Sequence, residues 1–406
     1  MGLNVINMYK IKRNEFIFMS IYLLLFSSLF LEDMAFSIDV SPIIKFMKIV
    51  SLLLLILSTV SKRWNKTTFK EFVTVFLIGV MVFVLSGDIF FVIVILLGYN
   101  TINIQDEKIY RLAFVYSAIG IVVTLFLFLI GILQDVISYR TDFSTEGRYS
   151  LGFNYSAILP LLIFYMLSYY IGYKSKHDKI KINVILFFLI LASVIYELCK
   201  SRNAYYGIMA LSFMLIILKQ KQLNKWLTKP IHFLTKWITL ICIIISVIPS
   251  ILRSKNILMP LWYMYDTIFT NRSLLGASAI DTYGIHLFNR ISYSNYVNTR
   301  AVVDSFVHQG VILDSAYMYI LVRYGLLMLA FMYIILKSFG KMQQSNINMC
   351  VVYCFIVLLN MTDNDMLSYP CLPYLFIGLK NVWIIFEHRK NTKLIQDYSR
   401  HSCKSG

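Results

Sequence analysis

Charge is scarce in this chain of 406 residues: 15% of it is Asp, Glu, Lys or Arg, against about 25% in an ordinary soluble domain. With 58% hydrophobic residues and a mean hydropathy of +0.69, that deficit excludes a soluble globular protein. At about 20 residues per span, a dozen spans would take roughly 240 residues, leaving little for a soluble domain. Acidic residues are scarcer still, 21 against 38 Lys and Arg. The resulting net charge of +17 would raise nucleic acid as a partner in a soluble chain. Here the basic residues lie in short segments between apolar runs, the positive-inside pattern of a membrane protein, so no nucleic-acid partner is expected.

Other absences narrow the chemistry. The six cysteines, Cys199, Cys242, Cys350, Cys354, Cys371 and Cys403, fall in or beside apolar runs and in the tail, so no disulfide framework is expected. Cys350 and Cys354 share a helix face inside a span and are read as packing. No small-residue cleavage site follows the first apolar run, which is expected to be a retained span. There is no Walker A loop, no Gly-rich dinucleotide fingerprint and no DxD-like metal motif, which argues against ATP or a nucleotide sugar as co-substrate. No repeated half is visible, which weighs against transporters built from internal repeats.

What is present is a series of apolar runs: Phe16–Leu31, Ile43–Val60, Phe72–Ser86, Ile89–Asn100, Leu112–Leu133, Ser156–Gly172, Ile182–Leu198, Tyr205–Leu218, Phe233–Ile251, Ala316–Leu336, Met349–Leu359 and Cys371–Phe386. They predict an all-α integral membrane protein of about twelve transmembrane helices in one polytopic domain, residues 1–406. Most basic residues fall in alternate connections, including both ends of the chain, so both termini and the tail, 387–406, are expected in the cytoplasm of a bacterial plasma membrane. The opposite face carries two polar excursions, Asp135–Tyr155 and a much longer extracytoplasmic loop, 252–314, between helices nine and ten. Long loops tend to carry function.

Charged groups at membrane depth or at the rim of a bundle are costly and are default functional candidates. Arg140, Arg148, Arg202, Arg272 and Arg323 qualify, and a guanidinium fork suits a diphosphate. Each is otherwise a snorkelling or carboxylate-paired arginine, and Arg140 has Asp142 and Glu146 close by in sequence. Outer-face carboxylates are few: Asp88, Glu197, Asp281, Asp304, Asp314, Asp363 and Asp365. Asp314 stands directly before span ten and shares a helix face with Tyr317, as a catalytic pair or as a helix cap with its neighbour. The aromatic residues of the long loop fit an interfacial belt, and Leu274–Ile291 would suit a helix lying on the membrane. His286 and His308, the histidines of the outer face, lack a partner at ligand spacing, so neither a metal nor another cofactor is expected.

At this point the residues resemble a known family. LDSAYMYILVRYGLL is similar to the D-N-S-Y-x-x-x-L-x-x-Y-G signature of Wzy-type capsular and exopolysaccharide polymerases, relatives of the O-antigen ligases. GRYSLGF, CKSRNA and IFTNRSLLGASAIDTYGIHLF resemble three further stretches of that family, in the same order on the predicted outer face. The resemblance implies a GT-C-like helical bundle that polymerises oligosaccharide repeat units carried on undecaprenyl diphosphate, with outer-face arginines holding the diphosphate. Carried over by motif, these are Arg148, Arg202 and Arg272, with Arg323 inside the matched signature; Asp314, with Tyr317, is the catalytic candidate. A flippase and a chain-length regulator of the same pathway are the implied protein partners. Two departures stand out. The ligase relatives have His where Asp314 stands, and the family pattern has Gly where Asn289 stands. The alternatives are a ligase to another acceptor and a lipid-linked oligosaccharide flippase.

Overall fold

The computed structural model describes residues 2–62, 66–139, 147–174, 180–269, 271–289, 313, 315–364 and 366–385, with 2–14, 66–68, 139 and 268–269 by backbone only. The described residues are mostly α-helical. The helices are α1 Gly2–Glu32, α2 Ser41–Val60, α3 Lys66–Ser86, α4 Phe90–Asn100, α5 Asp106–Leu129, α6 Ile158–Lys174, α7 Ile182–Cys199, α8 Arg202–Leu218, α9 Lys221–Ser254, α10 Met259–Phe269, α11 Arg272–Tyr283, α12 Ala316–Tyr324, α13 Leu326–Met342, α14 Ile347–Thr362 and α15 Leu372–Ile385. Two short strands, β1 Ser138–Tyr139 and β2 Gly147–Arg148, pair antiparallel.

Among the described residues, seven helices are long and apolar enough to cross a membrane: α1, α2, α3, α5, α7, α9 and α13 with the turn that follows it. α4, α6, α8, α14 and α15 are shorter apolar helices, and α4, with eleven residues, is only about 16 Å long. Residues 91–100 of α4 are all buried, as is nearly all of α6, so these helices form the centre of the bundle. The long helices surround them. On α2, Ile44, Ser51, Leu55 and Thr59 face inward while Phe46, Ile49, Leu53 and Leu57 are exposed, a pattern suited to a lipid-facing exterior. Polar side chains join helices inside: Asn100 on α4 donates to Thr59 Oγ1 on α2 at 2.8 Å and accepts from Ser58 at 2.9 Å.

Apart from α10, α11 and α12, the helices connect alternately at two ends, which gives the bundle two faces. One carries the connections α1–α2, α3–α4, α5–α6, α7–α8 and α14–α15 together with α10 and α11; we call it the loop face. The opposite face carries Lys62, Lys108, Lys181, Lys219 and Lys341.

Two expectations are corrected. The tenth span is not continuous over Ala316–Leu336: it breaks at Gly325, where φ is +96°. The first piece, α12, is buried along its whole length. Its start lies beside Met361 near the end of α14 and its end beside Asp88 in the α3–α4 turn, both at the loop face, so α12 runs across the bundle and α13 makes the descent. Leu274–Ile291 is likewise not one helix on the membrane surface. α11 ends at Gly284 and packs on α9 through Ser273, Gly276, Ala277 and Ala279. A Cβ on Gly276 would stand 2.2 Å from Ser250 Oγ, which makes this a close helix contact that a larger residue would open.

Candidate functional site on the loop face

The α7–α8 turn is tight because Lys200 takes a left-handed conformation and Ser201 an extended one, so α8 begins at once with Arg202. Arg202 is exposed, and among the described residues its side chain has no hydrogen bond or ion pair. Its neighbour Asn203 donates Nδ2 to the Thr362 carbonyl at 3.1 Å. Arg272, the first residue of α11, donates Nη2 to the same carbonyl at 2.6 Å. The end of α14 therefore ties the two arginine-bearing helix starts together. Both helix N-termini add partial positive charge at this rim.

Arg148 joins them through the backbone. It stands on β2, and the next residue, Tyr149, donates its N–H to the Leu198 carbonyl near the end of α7 at 3.2 Å. The hairpin is held by Asp135, whose Oδ1 accepts from the backbone N–H of Ser150 at 2.8 Å and of Leu151 at 3.0 Å, and from Ser150 Oγ at 3.1 Å. Arg148, Arg202 and Arg272 thus sit on segments bonded in series: β2 to α7, and α8 and α11 to the end of α14. Arg140 and Asp314 lie outside the described residues. Leu313 and Ser315, on either side of Asp314, line with Arg272 and Tyr265 a slot of about 10 Å³, close to the least that holds one water. Burial pushes the Tyr265 hydroxyl up to about 12, with Arg272 pulling the other way.

The other two candidates lie along α12. Tyr317 is fully buried, and its hydroxyl donates to the Val357 carbonyl at 3.0 Å, anchoring α12 to α14. Arg323, 1% exposed, lies away from the other arginines at the far end of α12. Its Nη2 is 3.3 Å from Asp88 Oδ2, its Nη1 donates to the Tyr319 hydroxyl, and it lies 5.0 Å from the centroid of the Tyr324 ring. Tyr324 donates to the same Asp88 oxygen at 2.5 Å.

Two of the sequence stretches meet at the helix break. The Leu326 N–H donates to the His286 carbonyl at 2.9 Å and the Leu327 N–H to Leu287 at 3.2 Å, while the Asn289 N–H reaches the Tyr324 carbonyl at 3.4 Å. Gly325 is required twice, for its positive φ and because a Cβ would stand 2.5 Å from the Leu287 oxygen. Asn289 Nδ2 donates to the Val322 carbonyl, satisfying a group that the end of α12 exposes. The His286 ring turns toward Tyr283.

Sequence reasoning missed several supports. Asp266 pairs with Arg253 and accepts the Ser273 N–H at 2.9 Å, and Arg253 donates to Ser273 Oγ at 3.0 Å, which fixes the first turn of α11 and with it Arg272. His232 Nδ1 lies 3.8 Å from Cys350 Sγ, a neighbour that the sequence around Cys350 does not contain.

No family model, no curated protein and no solved structure matches this chain.

Proposed function

We propose that the chain is a membrane glycosyltransferase that polymerises oligosaccharide repeat units carried on undecaprenyl diphosphate, working at the outer face of the bacterial plasma membrane. The observation that carries this reading is the serial bonding of the segments bearing Arg148, Arg202 and Arg272 at one rim, beside the start of α12. Three guanidinium groups and two helix N-termini suit a departing diphosphate. In this reading the bundle is GT-C-like with twelve spans, the loop face is extracytoplasmic and both termini are cytoplasmic, following the lysines of the opposite face.

In the proposed reaction an acceptor hydroxyl attacks the anomeric carbon of the lipid-linked donor. The bond from that carbon to the diphosphate oxygen breaks, and the configuration inverts. Asp314 takes the hydroxyl proton, and Arg148, Arg202 and Arg272 take up the charge on the leaving diphosphate. Tyr317 and Arg323 act as positioning residues that hold α12. Capsule or exopolysaccharide is the product, and a flippase and a chain-length regulator are the expected partners.

Deletion of the gene in its host tests this. Single repeat units accumulating on the outer leaflet support polymerisation. Units trapped on the inner leaflet mean a flippase, and full-length polymer still on its lipid carrier means a ligase.

A further inference from the structure

A cleft of about 590 Å³ opens on the face opposite the long loop, between the start of α5, the end of α6, the α13–α14 turn and the last turns of α15. Two of its lining side chains are buried with polar atoms that have no hydrogen-bond partner among the described residues. They are Asn381, 1% exposed, through Nδ2, and Tyr110, 2% exposed, through its hydroxyl. Buried donors are ordinarily satisfied, so two unsatisfied ones on side chains that line one cleft point to a ligand there.

The charges around them define the ligand. Lys380, also buried, donates to the Ile104 carbonyl at 2.5 Å and to Asp106 Oδ1 at 2.6 Å. An ammonium has three protons, so one is left for a ligand. The second oxygen of Asp106 has no partner among the described residues and remains an acceptor. Because Asp106 matches Lys380 and Glu107 lies on the same wall, the described residues of the cleft give no surplus positive charge to hold a phosphate or carboxylate. A group that both accepts and donates is needed, and a hydroxyl does both. Met342, Ile347 and Ile384 add an apolar wall suited to a sugar face or the glycerol of a lipid.

We propose that this cleft binds an uncharged, hydroxyl-rich ligand, supplied as the sugar headgroup of a glycolipid or as a free sugar. The site lies on the face away from the arginines, and its test does not depend on the polymerase reading.

The test uses the full-length protein in phosphatidylcholine nanodiscs, alone, with a monoglycosyl diacylglycerol, with phosphatidic acid, or with free glucose, and reads the thermal midpoint. The glycolipid is expected to raise the midpoint by a few degrees. Tyr110→Phe, which keeps the ring, and Asn381→Leu should each lose most of that rise while keeping their midpoints in phosphatidylcholine alone. If Asn381→Leu does not fold, Tyr110→Phe carries the test. A rise with glucose as well supports a soluble sugar; a rise with the glycolipid alone supports a headgroup. A response to phosphatidic acid in place of the glycolipid overturns the hydroxyl chemistry. No rise with either sugar, or a rise undiminished in both variants, overturns the site.

Discussion

Arg323 and Asp88 form an ion pair that joins the end of α12 to the α3–α4 turn, with the guanidinium buried and the Tyr324 hydroxyl on the same carboxylate oxygen. Removing one partner of a buried pair strands the other charge, at a cost of about 3–5 kcal/mol, whereas apolar replacement of both is far milder. Asp88→Ala and Arg323→Ala should therefore each lower the unfolding midpoint strongly, and Asp88→Leu with Arg323→Met should lower it much less than either. A double variant whose loss equals the sum of the two single losses would show that the pair is not coupled.

Gly325→Ala combines a positive φ with a clash against the Leu287 carbonyl. It should cost about 2 kcal/mol or more. Asn289→Ala, which loses one bond to the Val322 carbonyl, should cost roughly 1 kcal/mol. Denaturant midpoints of the purified variants give the order; Asn289→Ala as damaging as Gly325→Ala would contradict it.

Arg202 is exposed and bonded to no described residue, so replacing it leaves no packing defect. On the proposed function, Arg202→Lys is expected to keep the unfolding midpoint and lose most polymer, because an ammonium cannot reproduce the two-pronged contact that a guanidinium offers a diphosphate. Asp314→Asn should also abolish polymer. Full-length polymer from Asp314→Asn cells would remove the base assignment.

Asp135 accepts three hydrogen bonds that close the hairpin below Arg148. Asp135→Ala should free that hairpin and lower polymer yield several-fold, while Ser138→Ala, at the paired end of β1, should do little. Protease cleavage within 135–151 that appears only in Asp135→Ala would locate the effect.

Lys62, just beyond the end of α2, donates to the Tyr99 carbonyl at 3.1 Å and lies over the Tyr99 ring; burial pulls its ammonium from 10.5 down to about 8. Between those values the unfolded chain holds a proton that the folded chain lacks, so stability rises with pH from about 8 to 10.5 and the penalty is complete below that window. Acylation of Lys62 followed against pH should reach half its limiting rate near pH 8. A half-point at the ordinary lysine value would refute the burial effect. Lys62→Met should flatten the rise.

The apolar runs made α1 to α9, α14 and α15 legible, because lipid leaves helices as the simplest way to satisfy backbone groups in such a run, whereas α10 and α11 lie in what read as a loop. The break inside span ten was not legible: YILVRYGLLMLA is apolar on both sides of Gly325, and a lone glycine is common in membrane helices. What breaks the helix is the arrival of His286–Asn289, whose carbonyls take over the Leu326 and Leu327 N–H groups. Arg148, Arg202 and Arg272 were readable as candidates by residue type. The bonding between the segments that carry them was not, since it runs through the Thr362 and Leu198 carbonyls, and a backbone oxygen has no signature in a sequence. Asp88 read as one of the few outer-face carboxylates, and the crossing path of α12 makes it the partner of Arg323.

The joint between Asn289 and the end of α12 also constrains how relatives can diverge. A side-chain amide at 289 and a bare α-carbon at 325 act as one unit, since the first serves a carbonyl that the second helps to expose. In an alignment of close relatives the two positions should therefore change together. A chain that places glycine at 289 must serve that carbonyl some other way, through a neighbouring side chain, or let the helix run on through 325.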